Sequence, residues 1–341
     1  MSDFFFRLPE EERREVIQRA SVESGMPEDV LEKDIWLVWT LHRLFAIPDI
    51  PDMAFKGGTA LSKVFGAIER FSEDVDVSVN YKALLPELAE VDLSTLSRSA
   101  KKKASDRLRA RLNELAHETI VPQLQSAAAE LCGDGYCEFE IDDTGENIRL
   151  RYPSVAAKAG YLREGILIEL GGRNPTEPNQ PRLLETEISR FLPQFEWPIA
   201  QVTVLAPTRT FWEKATLIHI ACNRPEGRIA DRMFRHWYDL AKLAEHEIGT
   251  AALENIPLLE RVVRHKEAFF AYADVGYEAC LDGGMLLVPP AKLIDALHAD
   301  YRGMVGQRMF GGALPEFDAV IQRIGDLQSA INRAVQAFYS S

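Results

Sequence analysis

The sequence contains little cysteine and no long apolar run. Its 4 cysteines include no Cys-x-x-Cys pair, and no His or Cys pair stands at the spacing that zinc ligands require. No apolar stretch reaches the roughly 20 residues that a membrane-spanning helix needs. The first residues, MSDFFFRLPEEERREV, lack the basic start and apolar core of a secretory signal. We therefore expect no zinc site, no membrane span and a cytoplasmic location.

Positive charge is also scarce. The formal net charge of −13 argues against broad, non-specific nucleic-acid binding, which needs a basic electrostatic field. A local basic groove is compatible with this total, and residues 97–113 are a candidate for one. Their basic side chains are Arg98, Lys101, Lys102, Lys103, Arg107, Arg109 and Arg111, with Asp106 as the single acid. This basic segment either contacts nucleic acid or is a solvated helix face.

The hydrophobic pattern gives an order of helices, then a sheet, then helices. Apolar residues recur at helical spacing before residue 50, strand patterns occur between residues 53 and 205, and helical spacing returns from residue 210. This order predicts an α+β fold with a mixed-sheet lobe and a C-terminal helical lobe. The expected domains are N-terminal helices packing on the core over 1–50, the α+β lobe over 51–206 and the helical lobe over 207–341.

Two aspartates, Asp74 and Asp76, lie in the alternating segment DVDVSV. On a strand they project from one face, where their repulsion costs about 1 kcal/mol in water and roughly 4 kcal/mol near a protein surface. A divalent cation such as Mg²⁺ would offset this repulsion, since it takes one or two carboxylates beside water and phosphate oxygens. The alternative is a solvent-facing strand whose acids bind nothing.

A Gly-Gly pair precedes these aspartates. Gly57 and Gly58 lie between a predicted strand and a predicted helix that Thr59 would cap, and glycine lets backbone N–H groups approach a phosphate. A strand, a Gly-Gly turn, a helix and a strand with two aspartates form the layout of polymerase-β-type nucleotidyltransferases. In that layout, metals held by carboxylates act on a triphosphate. Glu169, in GILIEL, is either the third acid of the site or an edge-strand acid.

Four segments resemble the AbiEii/MenT branch of nucleotidyltransferase-like proteins, which are often toxins of bacterial toxin–antitoxin or phage-defence systems. The segments are EKDIWLVWTL at 32–41, FKGGTALSK at 55–63, RFSEDVD at 70–76 and RHWYDLAKL at 235–243. The resemblance implies a two-lobed enzyme that moves a nucleoside monophosphate from a nucleoside triphosphate to an acceptor hydroxyl, with Mg²⁺ or Mn²⁺ as cofactor. It also implies that the acceptor enters between the lobes.

The resemblance further implies roles for individual residues. The nucleotide would be held by Gly57, Gly58, Thr59, Lys63, Arg70, Ser72 and Arg235. The metal ligands would be Asp74, Asp76 and Glu169, and the catalytic residues Asp74, Asp76, Lys214 and Asp239. Lys214 would contact the nucleotide, and Asp239 would act as general base or orient a partner. Lys63 is equally compatible with a solvated helix lysine.

Three arginines and Asp239 have helical spacing. Arg228, Arg232, Arg235 and Asp239 follow intervals of four, three and four, which predicts one shared helix face. Such a stripe could bind triphosphate or RNA phosphate, because the guanidinium fork suits phosphate oxygens. It could equally be a surface helix with an intrahelical Arg235–Asp239 pair.

The function that we expect is nucleotide transfer to RNA, with the 3′ end of tRNA as the implied acceptor and an antitoxin protein as the implied partner. A nucleotidyltransferase that modifies a protein or a small molecule is the closest alternative. A nucleotide-binding regulatory module without turnover, or a nucleic-acid-binding protein that merely retains the fold, would also resemble this family. The presence of both Asp74 and Asp76 weighs against these two non-enzymatic alternatives.

Overall fold

The computed structural model describes residues 4–157, 162–224, 230–270, 276–307, 309–310 and 314–340. The chain divides into two compact units. The first unit comprises residues 1–64, 73–91 and 103–205, and the second comprises residues 65–72, 92–102 and 206–341.

A seven-stranded mixed sheet organises the first unit, counted over the described residues. Its strands are β1 (Met53–Lys56), β2 (Asp74–Val79), β3 (Glu138–Ile141), β4 (Asn147–Arg151), β5 (Ile166–Gly171), β6 (Asn179–Glu185) and β7 (Ile199–Leu205). Their order is β3-β4-β5-β2-β1-β7-β6. β2 runs parallel to β5 and β1 parallel to β7, whereas the other neighbours are antiparallel.

Helices complete the first unit. They are α1 (Phe4–Arg7), α2 (Glu10–Ser24), α3 (Glu28–Phe45), α4 (Gly57–Lys63), α5 (Tyr81–Leu84), α6 (Arg98–Leu115), which contains residues of both units, and α7 (Val121–Cys132). α3 packs against β7. It can do so because large apolar residues such as Ile35, Trp36 and Trp39 recur at helical spacing and are fully buried.

β2 shows how the sheet acquires a covered face and a polar face. Val75, Val77 and Val79 are fully buried on one side, while Asp74 and Asp76 alternate with them on the other. The strand period therefore places both aspartates on the face opposite the valines.

The sequence predicts a loop for GGRNPTEPNQP at 171–181 and no strand directly after it, but β6 begins at Asn179. Within the described residues it pairs only with β7 and lies at the edge of the sheet. Most of its side chains are exposed, so it lacks the apolar alternation of a half-buried strand. A proline is tolerated here because an edge strand can leave one backbone position unpaired.

In the second unit, the elements described from residue 207 onward are helices. Its helices are α8 (Pro207–Asn223), α9 (Phe234–Glu245), α10 (Glu247–Leu253), α11 (Ile256–Phe269), α12 (Ala291–Gly306) and α13 (Phe317–Ser340). α9 packs against α8, α10, α12 and α13 and so lies inside this unit. In the part of the chain that the structure describes, no helix is both long and apolar enough to cross a bilayer.

The predicted arginine stripe is wrong as a single helix face. α9 begins at Phe234, and Arg232 lies in the preceding turn with a φ of 57°, outside helical backbone. Arg228 lies outside the described residues. Only Arg235 and Asp239 share a face of α9, one turn apart.

Candidate active site

A row of polar side chains crosses four strands of the first unit. Lys56 on β1 is the register partner of Asp76 on β2, Asp76 that of Glu169 on β5, and Glu169 that of Asn147 on β4. Directly opposed residues of neighbouring strands project to the same side. Asp74, two residues before Asp76, projects to that side too. The sheet thus brings together the three acids that the sequence proposed as metal ligands.

Gly57 lies directly against this row. Its backbone φ is 78°, and a Cβ atom built on it would stand 1.9 Å from Oδ2 of Asp76. That separation is far inside van der Waals contact, and the positive φ also disfavours other residues. The carboxylate and the peptide backbone can approach this closely only because residue 57 has no side chain.

Thr59 has a different local role from the predicted one. α4 begins at Gly57, and Lys56 occupies the N-cap position, so the prediction that Thr59 caps the helix is wrong. Thr59 is fully buried inside α4, and its Oγ1 donates a hydrogen bond of 2.7 Å to the backbone carbonyl of Asp74. The hydroxyl therefore joins the start of α4, where Gly57 and the buried Gly58 lie, to the start of β2. We call this start of α4 the glycine turn.

The acid row has the chemistry of a site for a hard cation. Within the described residues, the partly exposed Asp76 carboxylate has no hydrogen-bond or ion-pair partner, while Asp74 is 9% exposed. The same residues contain no ready-made group of three or more His, Cys, Asp or Glu that could hold a metal ion. Mg²⁺ and Mn²⁺ need only one or two carboxylates when water and phosphate oxygens complete the shell. Asp76, with Asp74 and Glu169, fits that requirement.

Lys63, which the sequence offered as a phosphate ligand or a solvated lysine, is neither solvated nor free. Its Nζ forms an ion pair with Asp34 on α3 and approaches Glu187 Oε1 at 3.4 Å. The side chain is only 9% exposed. The ammonium is thus already held by carboxylates.

Asp239 lies at the centre of a buried ion cluster in the second unit. Arg70 donates from Nε to Oδ1 at 2.6 Å and from Nη2 to Oδ2 at 2.7 Å, a two-pronged guanidinium–carboxylate contact. Lys214 on α8 places Nζ 2.8 Å from Oδ2. Asp239 is 0% exposed and Arg70 5%, so water screens this cluster poorly.

The protonation of this cluster follows from its charges. Burial alone would raise the pKa of the Asp239 carboxyl, but the Arg70 guanidinium and the Lys214 ammonium outweigh burial and hold that pKa well below its usual range. Burial lowers the pKa of the Lys214 ammonium. The charge of Asp239 raises this pKa, and the charge of Arg70 lowers it further. Asp239 is therefore an ionised structural anion with both oxygens engaged, and it is a weak proton acceptor.

Other predicted residues of the second unit remain less enclosed. Ser72 and Arg235 are partly exposed, and in the described part of the chain no acid pairs with Arg235. Its neighbour His236 has a buried Nδ1 without a hydrogen-bond partner among the described atoms. Burial, with the charges of Lys214 and Arg235, lowers the pKa of His236 well below its usual value. We therefore expect His236 to be neutral at physiological pH.

Three of the four arginines of the basic segment are close to acids. Arg107 pairs with Glu87, and Arg111 pairs with Glu114 at 2.7 Å. Arg109 approaches Glu146 at 4.0 Å, and the three arginine side chains are at least 50% exposed. These three arginines therefore fit the solvated helix face, whereas Arg98 and the three lysines at 101–103 stay a candidate contact for nucleic acid.

Two buried charged residues of the first unit, Lys33 and Glu73, lie in the family-like segments 32–41 and 70–76, but the sequence predicted no role for them. Lys33 is 3% exposed and Glu73 is 5% exposed. They form an ion pair with an Nζ–Oε2 distance of 2.5 Å. The available signal was the charged triplet Glu-Lys-Asp inside the otherwise apolar helix pattern of α3, since charges at core-facing positions are rare unless paired.

The mixed sheet, with its glycine pair beside a row of acids, has the arrangement that the sequence predicted for a nucleotidyltransferase. Residues 39–323 match the family model described as "Nucleotidyl transferase AbiEii toxin, Type IV TA system". The chain therefore belongs to the AbiEii family of nucleotidyltransferase toxins, and the resemblance predicted from its motifs is confirmed. The α+β fold and the enzyme class are confirmed with it.

No curated protein matches this chain. Among solved structures, MenT4, a nucleotidyltransferase toxin from Mycobacterium tuberculosis H37Rv, is similar with 17% sequence identity and a TM-score of 0.49. The similarity covers 95% of this chain and 89% of that chain.

Proposed function

We propose that this nucleotidyltransferase is metal-dependent and transfers a nucleoside monophosphate from a nucleoside triphosphate to a hydroxyl of RNA, at the 3′ end of tRNA. The observation that carries the metal and triphosphate part is the acid row, in which Asp76 has no partner in the described residues and lies against the backbone of Gly57. The family supports the toxin role and an antitoxin partner. A role in phage defence belongs to the same proposal.

The bond changes of the proposed reaction are simple. The oxygen of the acceptor hydroxyl bonds to the α-phosphorus, the bond from that phosphorus to the bridging oxygen of the β-phosphate breaks, and pyrophosphate leaves. The hydroxyl proton passes to solvent or to a base on the acceptor side. A bound Mg²⁺ or Mn²⁺ would neutralise charge on the phosphate oxygens. Asp74, Asp76 and Glu169 would hold that ion, and the backbone at Gly57, with Gly58 and Thr59 behind it, would seat the phosphates.

Two residues of the second unit, Lys214 and Asp239, also have predicted roles in the reaction. The geometry favours a positioning role for Asp239, because its oxygens are occupied by Arg70 and Lys214 and its pKa is held well below its usual range. The general-base role is therefore the less favoured of its two predicted roles. The nucleotide contact of Lys214 stays a prediction, because its Nζ already lies 2.8 Å from Oδ2 of Asp239.

The decisive experiment uses purified protein, Mg²⁺, each labelled nucleoside triphosphate in turn and total RNA. The matched control is Asp76→Ala, which removes the unpartnered carboxylate. We expect label in tRNA with the native protein and none with the variant. Label in a protein or in a small molecule would show that the acceptor is not RNA. Tight triphosphate binding without any transfer would contradict the proposed turnover.

A further inference from the structure

Two consecutive residues of α3, Lys33 and Asp34, are both charged and both buried, with exposures of 3% and 8%. Each forms an ion pair with a residue at one end of the 63–73 stretch of chain. Lys33 pairs with Glu73, directly before β2, and Asp34 pairs with Lys63, the last residue of α4. We call these four residues the α3 clamp.

The Lys33 side of the clamp joins β2 to β5. Nζ of Lys33 contacts Glu73 Oε2 at 2.5 Å and donates to the backbone carbonyl of Arg163 at 2.7 Å. The backbone N–H of Arg163 in turn donates to Glu73 Oε2 at 3.2 Å. Glu73 directly precedes β2 and Arg163 lies shortly before β5, so this closed set of contacts fixes where the two parallel strands begin.

The register of these strands decides where the acids stand. Asp76 is opposite Glu169 only in the observed pairing of β2 with β5, and a slip by one residue would move every side chain of β2 to the other face. A charged contact at the start of both strands opposes such a slip.

The Asp34 side of the clamp holds the glycine turn. Oδ1 of Asp34 pairs with Lys63 at the end of α4, and Oδ2 accepts a hydrogen bond of 2.6 Å from the backbone N–H of Glu187. α4 is only seven residues long, so fixing Lys63 also limits movement of Gly57 at its other end.

We propose that the α3 clamp positions the two halves of the nucleotide site: Lys33–Glu73 positions the acid row, and Asp34–Lys63 positions the glycine turn. In this proposal the four residues are positioning residues, which act through the placement of Asp76, Glu169 and Gly57. Buried ion pairs seldom stabilise a fold more than apolar residues of similar size, so two such pairs beside a site indicate a requirement for geometry. The inference rests on the proposed metal–triphosphate site.

The test compares two double variants that remove charge without stranding a buried partner. Lys33→Met with Glu73→Gln neutralises the first pair, and Lys63→Met with Asp34→Asn neutralises the second. The first should weaken Mn²⁺ binding about tenfold, measured by electron paramagnetic resonance, and lower kcat. The second should raise the KM for the nucleoside triphosphate about tenfold and leave Mn²⁺ affinity little changed.

Hydrogen exchange gives a measurement that does not depend on turnover. In the Lys33/Glu73 double variant, amides of β2 and β5 should exchange about tenfold faster, while those of β7 keep their native rates. Unchanged exchange, or native Mn²⁺ affinity and native KM in both folded variants, would overturn the clamp. If the native protein neither binds Mn²⁺ nor transfers nucleotide, the proposed function fails, and the exchange rates alone then decide the clamp.

Discussion

Asp76 and Asp239 are aspartates of the same family pattern, yet the two units give them opposite surroundings. In the first unit, Asp76 is partly exposed and has no hydrogen-bond or ion-pair partner among the described residues. In the second unit, Asp239 is fully buried and has three charged contacts from Arg70 and Lys214. The first carboxylate is available to a ligand, whereas the second is part of the fold. The difference shows that a motif aspartate acquires its role from the charges around it.

The largest effect that this comparison predicts is on stability, at Asp239. The variant Asp239→Asn should lower the free energy of unfolding by roughly 3–5 kcal/mol, because Arg70 and Lys214 would stay buried without a counter-charge. Urea denaturation followed by circular dichroism measures this loss. Arg235→Gln, one turn earlier on α9 and without an ion pair in the described residues, is the matched control and should change stability by less than about 0.5 kcal/mol. A fully stable Asp239→Asn protein would remove the distinction between the two aspartates.

Asp76 should show the reverse behaviour, with a large loss of activity and no loss of stability. The variant Asp76→Asn should lower the transfer rate about 100- to 1,000-fold, or ~3–4 kcal/mol of transition-state stabilisation, if the carboxylate holds a metal. Its Tm should equal or exceed the native value, because no partner of Asp76 among the described residues is lost. Initial rates and a thermal melt on the same preparation measure both quantities. A variant that loses stability but keeps its rate would show that Asp76 is structural.

Gly57 tests how closely the backbone must approach the Asp76 carboxylate. The variant Gly57→Ala would place a Cβ 1.9 Å from Oδ2, so the carboxylate must move. A displacement of about 1 Å in a reacting constellation can cost about 100-fold in rate, and we expect a loss of roughly 10- to 100-fold. Gly66, which also has a positive φ but has nothing within 4 Å of a built Cβ, provides the control. Gly66→Ala shares the backbone strain, so equal losses in both variants would attribute the effect to strain alone.

The sequence allowed a good prediction of the parts of this molecule that depend on local pattern. β2 followed from strict alternation in DVDVSV, and the strand–glycine–helix order was also predicted, although the helix begins at Gly57 itself and not after the glycine pair. The face shared by Asp74 and Asp76 is a direct consequence of the strand period. Their alignment with Glu169 could only be proposed, because strand order is set by packing between distant segments.

The features that were missed or wrongly predicted depend on backbone conformation or on contacts between distant segments, which local pattern does not show. β6 was missed because an exposed edge strand with a proline needs no apolar alternation. The arginine stripe failed because the backbone at Arg232 leaves the helical region, which side-chain spacing does not reveal. The α3 clamp was not predicted because residues 33 and 73 are brought together only by tertiary structure.

The smallest predicted effect is the contribution of His236, in the second unit, to the pH dependence of stability. Burial, aided by the charges of Lys214 and Arg235, lowers the folded-state pKa of His236 well below its ordinary value near 6.5. As the pH falls through about 6.5, His236 becomes protonated in the unfolded chain but stays neutral in the folded chain. Stability is therefore lost from about pH 6.5 down to the folded pKa, by up to about 1.4 kcal/mol per pH unit. Asp239 adds nothing in this window, because its pKa is lowered and its contribution is lost only at more acidic pH.

The variant His236→Gln isolates this contribution, because glutamine does not titrate. Its free energy of unfolding, measured in urea from pH 8 to pH 5, should fall less steeply than that of the native protein below pH 6.5. Above pH 7 the two curves should run parallel, since the imidazole is neutral in both folded and unfolded native chains there. Equal slopes below pH 6.5 would mean that His236 accepts a proton in the folded state despite the nearby charges of Lys214 and Arg235. That result would weaken the contrast with the open carboxylate of Asp76.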